Sequence, residues 1–337
     1  MHKSCCLGCG PRARGHAEAY KRVTQARLEA VCDMNAERLA KFADDFAIPR
    51  RYTDLDTMLA REKPDLLHVV TQPRDRVDLL AAASDRDVPA VLVEKPLALD
   101  SADFRAIQAL GQRTRTRICV NHQLRFHPRI LEFLHAVRGG QIGDVRLIDG
   151  SAQLGLAGQG THILNLVFAF AGARPARILG QASGKAKWLS GDHPAPDMAL
   201  ADIAFEGGVR AILACGTNAP PTSAAPQEWF HKRIAVFGTR GFIHWKMESW
   251  EAHTLAGGYR AGTKSYGAED VLGQAAMTDA IFDWLEDDSK PHPNRLEVSL
   301  AESNTVLGLF QSALDRRAVA LPFEPNEQLL DALRARL

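Results

Sequence analysis

The chain has 337 residues, of which 46% are hydrophobic and 24% are charged, and its formal net charge is +1. These values are typical of a globular protein of about two domains that folds in water. Acidic and basic residues are interspersed, which excludes an obvious basic surface for nucleic acid or for an anionic membrane. No apolar stretch is long enough to span a bilayer, and residues 1–4 leave no room for a signal segment before the first strand, so we expect a cytoplasmic protein.

The cysteines fit a reducing compartment, because most of them fall inside predicted strands, where a thiol behaves as a small hydrophobic group. There are six: Cys5, Cys6, Cys9, Cys32, Cys119 and Cys215. Cys6 and Cys9 have the C-x-x-C spacing of metal and redox sites, but no second pair follows. We therefore expect no metal.

Strand-sized apolar runs alternate with helix-sized amphipathic segments over the first 120 or so residues. The predicted strands are 3–7, 28–32, 65–70, 90–93 and 117–120, and the predicted helices are 13–22, 35–46, 54–60, 74–86 and 101–114. This alternation is the signature of βαβ units, so we expect an α/β domain with a doubly wound parallel sheet.

The pattern changes after Gly150, where successive strands follow one another without helices between them. The predicted strands are 176–183, 199–205, 209–216, 232–237, 242–247 and 249–255, and the predicted helices are 166–171, 277–287 and 296–314. Gly207-Gly208 and residues 239–241 have the length of hairpin turns. We therefore predict two domains: residues 1–120, and an α+β domain of residues 121–337 with a large, mostly antiparallel open sheet, whose last helices pack back on the first domain.

A glycine turn follows the first predicted strand. Gly8 permits a tight turn, Gly10 lets a pyrophosphate approach the backbone, and Ala13 keeps the following helix close to the sheet. Phosphates there meet the unpaired amides at the start of a helix that begins near Pro11, and Arg12 adds a positive charge. The G-x-G-x-x-A pattern is weak alone, but its position is the one that a dinucleotide site requires.

Asp33 ends the second predicted strand, about twenty residues beyond the glycine turn. A carboxylate in this position accepts hydrogen bonds from the adenosine ribose hydroxyls, which favours NAD over NADP. Met34 and Asn35 follow it, and neither offers the positive charge that a 2′-phosphate prefers. The alternative is that Asp33 only caps the next helix.

Polar groups also follow the next three predicted strands, at the edge where an open parallel sheet binds ligands. Thr71, Gln72 and Pro73 follow one strand, and Glu94, Lys95 and Pro96 follow another. A lysine that leaves a buried strand at this edge arrives where a nicotinamide ring could lie, although a Glu-Lys pair is also a common surface feature. Asn121, His122 and Arg125 follow the last strand, as site residues or as a polar loop before a helix at Pro128.

In the second half, Thr161, His162 and Asn165 lie at the start of an apolar helix. His162 and Asn165 are three residues apart and share a helical face, so both can point into one cleft. A single histidine at a helix start is more often structural. Further aromatic and polar side chains in the second half that can line a ligand site are Trp188, Asp192, His193, Asp197, Trp229, His231 and Lys232.

Taken together, these residues resemble the Gfo/Idh/MocA oxidoreductase family. The resemblance runs through the glycine turn and His16, Asp33, residues 71–73, Glu94-Lys95-Pro96, residues 125–128, Gly160-Thr161-His162 and a helix that carries Trp284-Leu285. It implies a Rossmann domain, a second domain whose open sheet often forms oligomer contacts, and hydride transfer between a nicotinamide and a sugar or polyol carbon.

The resemblance also assigns roles to residues. It implies that Lys95 and His162 are the catalytic pair and that Gly8, Gly10, Asp33 and their neighbours hold NAD, with NADP a less favoured cofactor. The cofactor set that we predict is Gly8, Gly10, Pro11, Arg12, Ala13, Asp33, Thr71, Gln72, Pro73, Arg76, Glu94, Lys95 and Asn121. The substrate set is Lys95, His122, Arg125, Thr161, His162 and Asn165. With a sugar as the implied substrate, the aromatic and polar side chains named above, from Trp188 to Lys232, are further sugar-binding candidates.

Two positions depart from the family pattern. Gly158 stands where many sugar dehydrogenases of the family have an aspartate four residues before the histidine, and Arg76 stands where a histidine is common. The expected substrate is a sugar, polyol or glycoside. The chain itself is expected to form a homodimer or homotetramer. The family also includes redox-neutral enzymes that cleave glycosides and regulators that bind a dinucleotide as a signal, and both alternatives stay open.

Overall fold

The computed structural model describes residues 1–184, 193, 195–325 and 329–337. Trp188 and Asp192, two of the sugar-binding candidates, lie outside this part of the chain. The described chain divides into two compact units. The first comprises Met1–Ala98, Asp103–Phe126 and Asp270–Leu300, and the second comprises Leu99–Ala102, His127–Glu269 and Ala301–Leu337.

The first unit is built on six parallel strands in the order β3-β2-β1-β4-β5-β6. These are β1 (His2–Leu7), β2 (Ala26–Cys32), β3 (Arg50–Tyr52), β4 (Leu66–Val69), β5 (Ala90–Val93) and β6 (Arg117–Val120). The helices between them are α1 (Pro11–Ala19), α2 (Ala36–Asp45), α3 (Leu55–Glu62), α4 (Arg76–Asp85) and α5 (Ser101–Arg113). The doubly wound parallel sheet is therefore confirmed.

Strand β5 lies between β4 and β6, and all four of its residues are fully buried. A strand with helices on both faces of its sheet has to be apolar throughout, which explains the run Ala-Val-Leu-Val. Its carboxyl end leads directly into Glu94 and Lys95. The first unit also contains most of α8 (Tyr266–Glu286), and α9 (Leu296–Asp315) begins in it.

The second unit carries a nine-stranded sheet in the order β14-β13-β12-β11-β7-β10-β9-β8-β15. Its strands are β7 (Val145–Ala152), β8 (Pro175–Ser183), β9 (Met198–Phe205), β10 (Arg210–Gly216), β11 (Lys232–Gly238), β12 (Phe242–Lys246), β13 (Ser249–Thr254), β14 (Gly258–Thr263) and β15 (Val319–Ala320). Its other helices are α6 (Pro128–Arg138), α7 (Thr161–Ala171) and α10 (Leu329–Arg336).

All neighbouring strands in this sheet are antiparallel except β7 and β10. The predicted mostly antiparallel sheet and the two predicted hairpins, β9–β10 and β11–β12, are confirmed. Helix α7 packs closely on one face of the sheet. A Cβ added at Gly150 of β7 would lie 2.5 Å from Ile163 Cγ2, so a larger residue there would clash with the helix. The lack of a side chain at Gly150 lets the helix that carries His162 approach the sheet.

Several elements differ from the sequence prediction. Strands β3, β7, β14 and β15 and helix α10 were not predicted, and α8 begins at Tyr266 rather than at residue 277. Asp149 and Gly150 interrupt the apolar pattern of β7, although the strand lies in the middle of its sheet. Gly267 and Gly273 lower the helix propensity of the first turns of α8, and burial of Gly273 and Gln274 outweighs that preference.

No helix in the described ranges is both long and apolar enough to cross a membrane.

Candidate active site

The glycine turn has the geometry that a pyrophosphate requires. Gly8 has φ +95°, and a Cβ added there would lie 2.3 Å from the carbonyl oxygen of Val70, so no other residue fits. Gly10 precedes α1 without a side-chain cap, and nothing lies within 4 Å of a Cβ added to it. The start of α1 therefore has open space beside Gly10, which is what the approach of a phosphate to a helix start needs. Ala13 is fully buried, which keeps α1 close to the sheet.

Asp33 lies at the end of β2, with 5% of its surface exposed. Its carboxylate accepts hydrogen bonds from the backbone amides of Cys9 (2.8 Å) and Asn35 (2.9 Å). Arg38 adds two more, from Nε (2.9 Å) and from Nη2 (2.6 Å). Burial alone would raise the pKa of Asp33, but the bond from Arg38 and the two amide bonds hold it below its usual value.

Two sequence-based statements about Asp33 are therefore wrong. Helix α2 is capped by Asn35, whose side chain accepts from the amide of Arg38, and not by Asp33. A cation does stand beside Asp33, since Arg38 reaches back from the first turn of α2. The side chain of Arg38 is 51% exposed.

Glu94 is the centre of a buried hydrogen-bond network. Its Oε1 accepts from Arg12 Nε (2.8 Å), His16 Nε2 (2.9 Å) and Asn121 Nδ2 (2.5 Å). Gln274 of α8 donates to Asn121 Oδ1 (3.1 Å) and accepts from Arg12 Nη2 (3.0 Å). Burial alone would raise the pKa of Glu94, but the Arg12 charge and the bond from His16 hold it well below its usual range. The carboxylate before Lys95 is therefore ionised although it is buried.

The network continues from His16 to a second buried histidine. His16 Nδ1 lies 3.0 Å from His68 Nδ1, and His68 Nε2 lies 2.7 Å from the hydroxyl of Tyr20. Because the Glu94 carboxylate only accepts, His16 must carry its proton on Nε2, which makes His16 Nδ1 the acceptor for His68. His68 then accepts from Tyr20, so each proton in the chain has one position. Burial lowers the pKa of both histidines, as this neutral arrangement requires.

Arg76, which is fully buried, holds the segment after β5 in place. Its guanidinium donates to the carbonyl oxygens of Glu94 and Pro96, and to that of Thr71 at 3.3 Å. Arg76 thus ties together the segments that follow β4 and β5, and the Lys95–Pro96 peptide bond is cis. Burial lowers the pKa of Lys95, against the opposing effect of the Glu94 charge. A lysine with a lowered pKa releases its proton more readily near neutral pH.

The other cofactor and substrate candidates of the first unit lie at the same sheet edge. Gln72 is exposed and Pro73 is buried. His122 is buried next to Asn121, and burial, followed by the Lys95 charge, lowers its pKa to about 3. Asn294 Nδ2 donates to the carbonyl oxygen of His122 (3.2 Å), and Arg125 Nη1 donates to that of Pro293 (3.2 Å). These bonds fix the segment after β6.

In the second unit, a π-helical turn, Leu156–Gly160, leads into α7. Thr161, His162 and Asn165 are all buried, with 8%, 5% and 0% of their surfaces exposed. Asn165 Nδ2 donates to Oε1 of Glu302 on α9 at 2.7 Å, and Glu302 is itself only 3% exposed. The buried carboxylate of Glu302 is thus hydrogen-bonded to Asn165, which lies on the same face of α7 as His162.

Lys232 at the start of β11 lies near the same turn. Its ammonium donates to Gln159 Oε1 (2.9 Å) and to the carbonyl oxygen of Trp229 (2.6 Å), and it lies 5.4 Å from the Trp229 ring centroid. Trp229 also packs against Tyr266 and is 40% exposed. His231 is buried and accepts from the amide of Thr222. Of the sugar-binding candidates, Lys232 and Trp229 are the pair that this arrangement places beside the turn before His162.

All six cysteines are buried, free thiols. Burial raises the pKa of Cys9 to about 12, and the neighbouring Asp33 charge adds to this effect. Among the described residues, no cluster of histidine, cysteine, aspartate and glutamate has the arrangement of a metal site.

Five residues of these networks were not predicted from the sequence: Tyr20, Arg38, His68, Gln274 and Glu302. His68 had a usable signal, because a histidine inside a run of buried strand residues needs a polar partner. Gln274 and Glu302 had none, since their partners Asn121 and Asn165 are more than a hundred residues away along the chain.

Residues 4–122 match the model of the oxidoreductase family with an NAD-binding Rossmann fold, and residues 153–244 match the model of the Gfo/Idh/MocA C-terminal domain. Together the two matches cover more than half of the chain. The chain belongs to the Gfo/Idh/MocA oxidoreductase family. Its first unit is accordingly an NAD-binding Rossmann domain.

Curated relatives of this Gfo/Idh/MocA protein include dehydrogenases of sugars and polyols. D-apiose dehydrogenase of Paraburkholderia graminis is 33% identical over 141 residues, which are 42% of this chain and 37% of the relative. Inositol 2-dehydrogenase of Rhizobium meliloti is 28% identical over 142 residues, 42% of each chain. The chain therefore spans about two fifths of the length of the curated relatives that it matches.

Solved structures share the fold over nearly the whole chain. An oxidoreductase from Agrobacterium radiobacter in complex with NAD+, L-tartaric acid and magnesium has a TM-score of 0.80 and 20% identity, with 95% of this chain and 98% of that chain covered. Aldose-aldose oxidoreductase from Caulobacter crescentus has a TM-score of 0.78 and 17% identity, with 95% and 100% covered. At these identities the likeness establishes the architecture only.

Proposed function

We propose that this Gfo/Idh/MocA protein is an NAD-dependent dehydrogenase that transfers hydride between the nicotinamide and a secondary hydroxyl or ketone of a sugar, polyol or glycoside. The observation that carries the proposal is the ionised, buried Glu94 carboxylate, which holds the segment of Lys95 at the ligand edge of the sheet. The glycine turn and Asp33 supply the rest of a dinucleotide site in the same unit. The named relatives act on sugars and polyols, which supports the substrate class.

The residues of the first unit fit NAD. A Cβ added at Gly10 would meet nothing within 4 Å, so the start of α1 has room for a pyrophosphate, and Asp33 is a carboxylate at the end of β2, where such folds hold the adenosine ribose. Bound NAD would supply the carbon that accepts the hydride.

The protein's own part in the reaction is to hold and move one proton. In the oxidative direction, His162 takes the proton of the substrate hydroxyl, and the ammonium of Lys95 donates a hydrogen bond to the same oxygen. The oxygen keeps the O–H bonding electrons and forms the C=O double bond as the C–H pair leaves as hydride, so the products are a ketone, the reduced cofactor and protonated His162. A neutral imidazole can accept a proton and return it later, which suits this role.

We expect Lys95→Ala and His162→Ala each to lower kcat by about 10²- to 10⁴-fold, because each removes a positioned acid-base group. NAD binding, followed by fluorescence titration, should stay close to that of the unchanged protein. Lys41→Ala is the matched control, since Lys41 lies on α2 with its side chain 74% exposed. Unchanged turnover in both active-site variants would contradict the assignment.

A panel of polyols, free sugars and glycosides with NAD and NADP tests the substrate class by the absorbance of the reduced nicotinamide. Steady release of NADH on a simple sugar supports a dehydrogenase. Glycoside cleavage without net NADH supports the redox-neutral alternative, and dinucleotide binding without any turnover supports a regulator.

We further propose that a second copy of the chain covers the open face of the nine-stranded sheet. Leu179, Leu200, Ile212 and Phe237 lie on this face of four strands and are 39–47% exposed. Large apolar side chains that share a sheet face favour an interface over contact with water. Sedimentation velocity tests this, and a monomer at every concentration would exclude it.

The free thiols support our proposal that the enzyme works in the cytoplasm.

A further inference from the structure

The ammonium of Lys232 joins three segments of the second unit. Lys232 is the first residue of β11 and is only 2% exposed. Its Nζ donates to the carbonyl oxygen of Trp229 (2.6 Å), in the turn before β11, and to Oε1 of Gln159 (2.9 Å). Gln159 belongs to the π-helical turn that leads into α7. A buried cation therefore holds the turn that comes directly before Thr161 and His162.

The π-helical turn, Leu156–Gly160, is weakly constrained by its own backbone. The amides of Gly158, Gln159 and Gly160 all donate to one carbonyl oxygen, that of Gly155, at 3.0, 3.0 and 3.3 Å. A carbonyl oxygen has two lone pairs, so three donors cannot all be well aligned with it. Glycine also restricts the backbone less than any other residue. Contacts from outside the turn must therefore help to determine its path.

Contacts with the sheet supply this constraint. Gly160 packs so closely on β10 that an added Cβ would lie 2.6 Å from Cys215 Sγ. The hydrogen bond from Lys232 of β11 reaches the side chain of the preceding residue, Gln159. Packing limits how near the turn can come to the sheet, whereas a hydrogen bond is directional and fixes where the Gln159 side chain points. The two contacts thus complement each other.

The Lys232 ammonium is itself held in one place. Its Nζ lies 5.4 Å from the centroid of the Trp229 ring and 6.0 Å from that of the Tyr266 ring, and the two rings pack against each other at 5.8 Å. A cation is attracted to aromatic rings over distances of about 6 Å. Hydrogen bonds from a charged donor are also stronger than those between neutral groups. Gln159 is therefore bonded to a strong donor whose position is fixed.

We propose that Lys232 is a positioning residue for His162 and that it acts through Gln159. The inference rests on the proposed function, because it gives His162 the role of base. His162 follows Gln159 by three residues and lies in the first turn of α7, so a shift of the π-helical turn moves the imidazole with it. A misplacement of about 1 Å in a reacting group can lower a rate by about 10²-fold. Lys232 does not touch the substrate in this account.

Gln159→Leu is the main test, because leucine is similar in size but has no oxygen for the ammonium. With the sugar or polyol that reacts fastest in the panel above, we expect kcat to fall by about tenfold. The KM for NAD should not change, since the residues that fit NAD lie in the first unit. Gln159→Glu keeps an acceptor for Lys232 and should keep most of the original kcat. Equal kcat values of the two variants would overturn the proposal.

A double-mutant cycle shows whether Lys232 acts through Gln159. Lys232→Met removes the ammonium and keeps an unbranched side chain, and we expect it to lower kcat as Gln159→Leu does. Adding Gln159→Leu to Lys232→Met should then lower kcat no further. Single effects that multiply in the double variant would contradict the proposal. Lys246→Met is the matched control, because Lys246 lies on the adjacent strand β12, opposite Arg233, and should leave kcat unchanged.

Assigned NMR spectra of the ligand-free protein give a reading that needs no substrate. In Gln159→Leu the ring resonances of His162 should shift, whereas those of the exposed His253 on β13 should not. If Lys232→Met does not fold, this comparison and the two Gln159 variants still decide the matter. A purely structural role predicts a lower free energy of unfolding with kcat and the His162 resonances unchanged, and that result would exclude the proposal.

The two proposals fail in different ways. Full activity of His162→Ala would remove the proposed function and this inference with it. An inactive His162→Ala, together with unchanged kcat and unchanged His162 resonances in Gln159→Leu, would remove the inference alone.

Discussion

At the scale of the residue, the hydrogen bonds of Asp33 bear on which cofactor its carboxylate can hold. A carboxylate has about four positions for accepting hydrogen bonds, and Cys9, Asn35 and the two bonds from Arg38 fill four. The two hydroxyls of an adenosine ribose would therefore have to displace Arg38. Once displaced, its half-exposed guanidinium would stand beside the 2′ position, where it suits a phosphate.

We expect Arg38→Ala to lower kcat/KM for NADP relative to that for NAD by about 10- to 100-fold, the equivalent of one hydrogen bond to a charged group. The KM for NAD itself should not rise, because two acceptor positions on Asp33 become available. Steady-state kinetics with both cofactors measure the ratio, with Lys41→Ala as the control on the same helix. An unchanged ratio would show that Arg38 lies away from the ribose.

At the scale of the element, the start of α7 depends on the close approach of Gly160 to β10. A Cβ added at Gly160 would lie 2.6 Å from Cys215 Sγ, whereas nothing lies within 4 Å of a Cβ added at Gly158. The two glycines are neighbours in the same π-helical turn, yet only one of them has a packing reason to be glycine.

Gly160→Ala should therefore shift the first turn of α7, which carries His162, and lower kcat by at least about tenfold with a loss of about 1–3 kcal/mol in the free energy of unfolding. Gly158→Ala is the matched control and should leave both quantities near their original values. Kinetics and urea unfolding measure the difference. Equal behaviour of the two variants would show that the packing at Cys215 does not position His162.

At the scale of the whole molecule, buried neutral histidines make the fold sensitive to acid. Burial lowers the pKa of His16 and His68, and it lowers the pKa of His122 and His292 to about 3. A group whose pKa is lower in the folded than in the unfolded chain stabilises the fold fully above the unfolded value. That stability is lost as the pH falls below 6.5, because the unfolded chain then binds more protons.

Between pH 6.5 and pH 5.5, His68, His122 and His292 should each lower the free energy of unfolding by about 1 kcal/mol. Urea unfolding at the two pH values measures the sum. His68→Leu should reduce the drop by about one histidine's share, whereas substitution of the exposed His253 by Gln should not change it. Glu94 affects stability in a different pH range. Because its pKa is lowered in the folded chain, its stabilising contribution is lost only as the pH falls below the usual pKa of 4.5. A free energy of unfolding that is constant from pH 6.5 to pH 5.5 would contradict the neutral assignments.

Much of the molecule was predictable because it depends on local pattern. The glycine turn, the buried strand before Lys95 and the two hairpins all follow from residues that are adjacent in the sequence. Strand β7 was not predictable, because Gly150 is explained only by Ile163 of a helix that packs on it later in the chain. The partners of Asp33 and Asn165 were missed for the same reason, since helical geometry and tertiary packing, rather than spacing in the sequence, bring Arg38 and Glu302 to them.

The hydrogen-bond chain from Tyr20 through His68 and His16 to Glu94 has a polarity of its own. Each bond is oriented with its hydrogen toward Glu94, so the three bond dipoles point the same way and reinforce one another. Inverting any one of them would leave two hydrogens, or two lone pairs, facing each other at a neighbouring junction. Through this chain the hydroxyl of Tyr20 helps to stabilise the negative charge of Glu94, the residue that precedes Lys95.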